Sequence, residues 1–335
     1  MKTIRTLLPP TAVRALGVLL LVAVIVAIFT AVEPRYASRG NFAAVTRHMA
    51  ANGLAALGLT FVVVVRRFDL SFPGIACFSA VTIGWLIAAG LDLWLAIGVG
   101  LVIGVTIGAA NGWAIAYFDL PDIVVTIGSG SIAAGMAFLY TGGQTVFQNF
   151  MTSGILDFND VRIFQLSLSV YMLLAIYGLA GLLLHRSRVG IAFYATGENP
   201  IAAFFSGIRT RACIVTAFAL SGAGAVLAVV LLIAESGNAS TNHGLTLLMP
   251  AYAGVYLGAA LLGGASVPAS LLGTLVITVL LDGFSLLRVP YYYSDGVVSL
   301  ILLLGVVVFD ERVRRGFSDT LSALAPKSKT GEVRP

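Results

Sequence analysis

The sequence predicts an all-α polytopic membrane protein of about ten transmembrane helices, with both termini in the cytoplasm. Three observations predict it. Hydrophobic residues fill 59% of the 335 positions and charged residues only 10%, against about 25% charged in a soluble domain. So little charge cannot cover a surface of this size in water. The apolar residues run in long continuous stretches, which points to helices and away from the short alternating strands of a membrane barrel. The 37 glycines suit helices that approach closely in lipid.

The first span is read at residues 12–32. Basic residues and then an apolar run resemble a signal peptide, but the run is long and Thr30-Ala31-Val32-Glu33-Pro34 is a poor cleavage site. It therefore reads as an uncleaved span. Spans at 46–65, 71–90, 93–116 and 121–140 follow, each near the roughly 20 residues that cross a bilayer. A loop, 141–165, leads to the sixth span at 166–184. A long polar segment, 185–211, interrupts the apolar pattern. Then come 212–234, 247–264, 267–287 and 296–309. Between the eighth and ninth, Gly263-Gly264-Ala265-Ser266-Val267-Pro268 reads either as a tight turn or as the break of a re-entrant pair. Residues 310–335 form a polar, basic tail. The whole chain, 1–335, reads as one transmembrane domain.

Orientation follows from basic residues, which concentrate on the cytoplasmic side. With the N-terminus inside, Lys2, Arg5, Arg14, Arg66, Arg67, Arg186, Arg188, Arg209, Arg211, Arg312, Arg314, Arg315, Lys327, Lys329 and Arg334 are cytoplasmic. Arg35, Arg39, Arg47, Arg162 and Arg288 face out, so fifteen inside and five outside account for all twenty. An odd number of spans would weaken that bias. Five spans precede the middle outer loop and five follow it, an arrangement that would permit an inverted repeat.

Several chemistries lack their residues. No G-x-x-x-x-G-K-[ST] occurs, and none of Lys2, Lys327 and Lys329 follows a glycine-rich loop, so the chain does not bind ATP through a P-loop. There is no HExxH and no GxSxG. His48, His185 and His243 sit at span edges or in loops. Cys77 and Cys213 lack CxxC spacing and read as small hydrophobes in helices. The net charge of +5 follows membrane sidedness and does not signal nucleic acid. No metal or cofactor is expected. Ion-driven carriers place ionisable residues deep in spans. Here Asp69, Asp92, Asp119, Asp122, Glu235, Asp295 and Asp310 lie near span ends, with Asp282 the exception. That pattern fits a path for an uncharged polar solute with energy supplied by another subunit. A secondary carrier is the alternative, and an intramembrane enzyme a more distant one.

Four stretches, in order, resemble the permease subunit of ribose-type ABC importers, which include simple-sugar and autoinducer-2 permeases. "RFDLSFPGI" (67–75) is similar to G-I-D-L-S-x-G. "GAANGWAIAYFDLPDIVVTIGSGSIAAGMAFLYTGGQTV" (108–146) resembles N-G-x-x-[IV]…P-x-[IL]-V-T-L-G…G…T-G-G-x-x-[IV]. "SRVGIAFYATGENPIAAFFSGI" (187–208) resembles T-x-x-G-R-x-x-Y-A-x-G-x-N-x-x-A-A-x-x-S-G-I. "LMPAYAGVYLGA" and "GTLVITVLLDGFSLLRVP" (248–290) resemble the C-terminal L-x-A-I-A-A-V-x-L-G-G…G-T…N-G-L region. The likeness spans about 66–310. The chain departs from it at Arg66-Arg67-Phe68, where the family has Gly-Gly before the Asp-Leu-Ser stretch. It departs again at Asp282-Gly283 in place of Asn-Gly, and at Leu247 in place of a Glu.

Within the polar segment, Asn199 is placed to cap a short helix with Pro200 at its first position. Ile201, Phe204, Phe205 and Ile208 follow at helical spacing. Gly207 ends it, and Gly197 permits a tight bend into it. The residues alone are read equally as a docking helix and as an interfacial helix lying on lipid. The resemblance implies a coupling helix for an ABC ATP-binding subunit, carried by Gly197, Glu198, Asn199, Pro200, Ala202, Ala203 and Gly207. It also implies a periplasmic solute-binding protein, a second permease chain (identical or related), and a multi-pass place in a bacterial inner membrane, with ATP bound by the partner. Asp69, Ser71, Asn111, Thr126, Ser129 and Asp282 are candidates for the solute pathway. Asp69 and Ser71 also read as caps of the third span, and Asn111, Thr126, Ser129 and Ser131 as helix-packing groups or pathway lining. Tyr291, Tyr292 and Tyr293 read as an interfacial belt or as a sugar-stacking surface.

Overall fold

A computed structural model describes residues 10–309, and the chain is almost wholly helical over them. Seven helices are long and apolar enough to cross a membrane. They are α1 (Pro10–Val32), α2 (Arg39–Val64), α4 (Leu93–Phe118), α5 (Asp122–Thr141), α7 (Leu168–Arg186), α10 (Thr210–Ser236) and α12 (Val267–Leu286). Three further apolar helices, α3 (Phe72–Ala88), α11 (Leu248–Leu262) and α13 (Tyr291–Phe309), do not meet that length over the described residues. Each of the ten predicted spans coincides with one of these helices. The basic N-terminal residues and the tail 310–335 lie outside the described residues.

The packing follows from glycine. Helix α10 is the central element, held between α2 and α4. A Cβ added at Gly58 of α2 would lie 3.0 Å from the Cα of Gly224 on α10. On α4, Gly104, Gly108 and Gly112 recur every four residues and bring its backbone onto Gly222, Phe218 and Val215 of α10. Lipid tails are as apolar as leucine, so helices in a bilayer associate through such close van der Waals contact. By contrast α1 and α5 expose most of their apolar side chains, among them Leu20, Ile28, Val124 and Leu139.

Helices α3 and α11 are short because irregular backbone precedes each. Residues 67–71 and 238–247 are not helical, yet Asp69, Ser71 and Ala239 are fully buried. Non-helical backbone is tolerated at such depth only inside protein. The segment between α5 and α7 also packs inward. It contains a one-turn helix, α6 (Asp157–Asp160), and a hairpin of β1 (Arg162–Ile163) and β2 (Leu166–Ser167), and it buries Phe150 and Ile155. Val146 pairs with Ala239 across to the α10–α11 connection.

Some boundaries differ from the sequence reading. Helix α2 starts at Arg39, seven residues before the expected 46, because Ser38 accepts the Asn41 amide and caps it. Helix α13 starts at Tyr291 and not at 296. Polar first turns do not register in a hydropathy run. Gly263 takes φ +87 and Ser266 caps α12 through the Ala269 amide, so 263–266 is a tight turn and Val267-Pro268 open α12.

Candidate functional site

The polar segment between α7 and α10 is a folded arm. Its first part is α8 (Arg188–Glu198), capped by Ser187, whose hydroxyl accepts from the Val189 and Gly190 amides. Phe193 of α8 is buried and meets Phe61 of α2 edge-on, with centroids 6.1 Å apart. Tyr194 donates to the Ala265 carbonyl in the α11–α12 turn at 3.2 Å. A Cβ at Gly197 would run into the carbonyl of Val64 and lie 3.2 Å from the Cα of Val65. Gly197 is helical, so its role is close packing and not the bend expected of it.

The second part of the arm is α9 (Pro200–Phe205). Asn199 caps it by accepting from the Ala202 amide at 3.0 Å, and Pro200 takes the first position. Gly207 follows with φ +82 and ends the turn. Ala203 packs inward, whereas Ile201, Phe204 and Phe205 are 71%, 64% and 83% exposed. Three large apolar side chains on one six-residue helix, raised on an arm that is itself well packed, form a surface that no other helix covers among the described residues. Ala202 and Glu198 lie beside it, and Glu198 faces Arg66 at 3.8 Å.

Next to the arm, residues 65–71 join α2 to α3 and carry a buried polar network. Asp69 accepts from the Ser71 hydroxyl, from the Ser71 amide at 2.9 Å, and from the Ser221 hydroxyl of α10 at 2.7 Å. Asn111 of α4 donates to the Ser71 hydroxyl at 2.9 Å. The Tyr252 hydroxyl of α11 accepts from the Asp69 amide and donates to the Asp69 carbonyl. Phe68 stacks on the Tyr252 ring at 4.4 Å and 8°. Asp122, in the first turn of α5, accepts from the Phe68 amide at 3.0 Å and lies 3.4 Å from Arg67. A buried carboxylate is costly unless it is well bonded. Here it has three donors, two from Ser71 and one from Ser221, so it joins the connection to α10 while neighbouring groups join α4, α5 and α11. A cavity of about 1210 Å³ opens beside this region, lined among others by Arg14, Arg66, Phe68, Glu198 and Tyr256.

A second polar cluster occupies the opposite end. His48 of α2 reaches Glu235 of α10 at 3.1 Å and Asp282 of α12 at 3.6 Å. Asn41 donates to the other Asp282 oxygen at 2.9 Å. Asn41, His48 and Asp282 line a cavity of about 330 Å³ together with Arg35 and Arg288. Arg35 also holds Glu33 by two bonds of 2.9 Å, which brings the Glu33 carboxyl down to about 2.

The structure therefore gathers Asp69, Ser71 and Asn111 into one network and places Asp282 at the far end of the molecule. Thr126 and Ser129 sit on α5, where their hydroxyls bond to the carbonyls of Asp122 and Thr126 in their own helix. Sequence reasoning did not single out Ser221 or Tyr252, named Phe68, Asp122 and His48 without assigning them to a site, and did not predict the helix α8. Tyr252 falls inside the quoted "LMPAYAGVYLGA" stretch, and a hydroxyl on an apolar helix is the signal that could have singled it out.

Comparisons with known proteins agree with this architecture. Residues 41–307 match the family described as the branched-chain amino acid transport system permease component. The autoinducer 2 import system permease protein LsrC of Yersinia enterocolitica is 32% identical over 263 residues, covering 78% of this chain and 72% of that protein. LsrC of Escherichia coli is likewise 32% identical, over 78% of this chain and 76% of its own. That of Salmonella typhimurium is 33% identical, over 78% and 75%. Among solved structures, an ABC transporter assigned to the metal-chelate type, in an inward-facing conformation, superposes with a TM-score of 0.52 at 13% identity. The match covers 92% of this chain and 98% of that one, a likeness of fold.

Proposed function

The chain belongs to the permease-component family of branched-chain amino acid transport systems, and on this premise we propose that it carries a sugar or similar small polar solute inward across a bacterial inner membrane. It is the permease subunit of an ABC importer. A separate ATP-binding subunit hydrolyses ATP, a periplasmic binding protein delivers the solute, and a second permease chain, identical or related, completes the pathway. The names of the relatives make autoinducer 2 the first solute to test.

The observation that carries this reading is α9. Its exposed Ile201, Phe204 and Phe205 form a docking face for the ATPase. Asn199 and Pro200 start that face and Gly207 ends it. Gly197 and Ala203 hold the arm to the bundle, and Glu198 and Ala202 flank the contact. Of the pathway candidates, Asp69, Ser71 and Asn111 keep the helices beside the path in register. Thr126 and Ser129 belong to α5, whose other faces are open, and Asp282 stands at the outer mouth.

The test is uptake of labelled ribose and autoinducer 2 into proteoliposomes holding the chain with its ATPase and binding protein. Uptake that requires ATP inside supports the reading. Uptake by the chain alone, driven by an ion gradient, would contradict it in favour of a secondary carrier.

A further inference from the structure

We propose that residues 65–71 act as a strap that passes movement of the arm to α5, with Arg67 as the positioning residue that ties the strap to Asp122. This deepens the ATPase-docking reading of α9 and rests on it.

The strap is gripped at both ends by glycine contacts that leave no slack. At the arm end, Gly197 of α8 lies against Val64 and Val65. At the α5 end, a Cβ on Gly130 would lie 2.9 Å from the Cα of Ser71 and 3.3 Å from the carbonyl of Leu70, and one on Gly74 would run into the carbonyl of Gly130. Close-packed backbone transmits displacement because it cannot compress. Two arginines add a second attachment on each side. Arg66 faces Glu198 on the arm at 3.8 Å, and Arg67 faces Asp122 on α5 at 3.4 Å. Asp122 also accepts from the Phe68 amide, so one carboxylate holds both backbone and side chain of the strap. Arg66 and Arg67 stand where the resembling family has two glycines, so these arms belong to this chain's own residues.

The rest of the environment makes α5 the element that would respond. Helix α10 is clasped by α2 and α4 through glycine stripes, and the Asp69 network fixes the strap's far end to α10 and α11. Helix α5 rests mainly on α3 and exposes Ile123, Val124, Ile127, Ile132 and Leu139. A pull on the strap thus meets a rigid wall on one side and a loosely held helix on the other.

The experiment places a single cysteine at the exposed position Ser131 of α5, in the full complex with its ATPase. Its maleimide labelling rate is read with and without ATP plus vanadate. In the parent complex the rate should change on trapping. In Arg67→Ala that change should shrink about threefold or more, the scale of a partly exposed ion pair, with basal ATP hydrolysis retained. Arg67→Lys, which keeps the charge, should recover it. Asp122→Asn, which keeps an acceptor for the Phe68 amide, should behave like Arg67→Ala and guards against simple misfolding. An Arg67→Ala complex with the full parental change would overturn the strap, as would a parent whose α5 does not respond at all. The ATPase eluting with the chain is recorded in the same preparations. Its absence from a chemically crosslinked parent complex would overturn the docking reading, separately from the strap.

Discussion

The hydroxyl of Tyr252 brackets the backbone of Asp69, accepting from its amide at 2.7 Å and donating to its carbonyl at 3.0 Å. Two residues 183 positions apart thereby hold non-helical backbone inside a helical bundle, where it has no ladder of its own. The α2–α3 connection depends on this one side chain for both polar groups of residue 69.

Tyr252→Phe should leave that amide and carbonyl buried without partners. An orphaned buried group costs about 1–3 kcal/mol, so the thermal midpoint in detergent should fall clearly while the ring stack with Phe68 persists. An unchanged midpoint would mean that water replaces the hydroxyl.

Asp69→Ala should destabilise more than Asp69→Asn. Alanine strands the donors of Ser71 and Ser221, whereas asparagine keeps one acceptor for Ser71. The ordering of the two midpoints is the measurement, and a reversed order would count against the carboxylate as the network's hub.

Gly108→Leu should abolish a monodisperse protein. Its side chain would run into the carbonyl of Phe218 on α10, and overpacking between two backbones costs about 1–3 kcal/mol or more. Gly128→Leu, on the open face of α5 with nothing near its Cβ, should elute normally. Size-exclusion profiles compare the two.

His243, in the α10–α11 connection, is kept below its ordinary value by burial, and its Nδ1 accepts from the Ser240 amide at 3.4 Å. A histidine whose folded value is lowered takes up its proton more readily unfolded. Its stabilising contribution is therefore complete above the unfolded value of about 6.5 and declines as pH falls below it. The drop in thermal midpoint between pH 7.5 and 5.5 should be smaller in His243→Gln than in the parent. Equal drops would remove His243 from the pH response.

The bundle was legible because a span is written locally, as a continuous apolar run, and every predicted run coincides with an apolar helix. The start of α9 was equally local, since Asn199 and Pro200 are a cap and a first-turn residue side by side. Helix α8 was not legible, because its polar and apolar residues alternate around a helix too short for a hydropathy run. The Asp69 network was half legible. The Asp-Leu-Ser stretch and Asn111 drew attention as polar residues, but Ser221 and Tyr252 reach them only through tertiary packing. Gly197 shows the same limit: the sequence marks a glycine, and only the neighbouring Val64 carbonyl tells that it serves close approach.

The docking of α9 on an ATPase is tested most directly by affinity purification of the tagged chain from its native membrane, with ATP hydrolysis measured on the eluate. The parent should bring down an ATP-hydrolysing subunit. Phe204→Asp with Phe205→Asp should lose it at an unchanged thermal midpoint, because both side chains are exposed. An ATPase retained equally by the double variant would contradict the role assigned to α9.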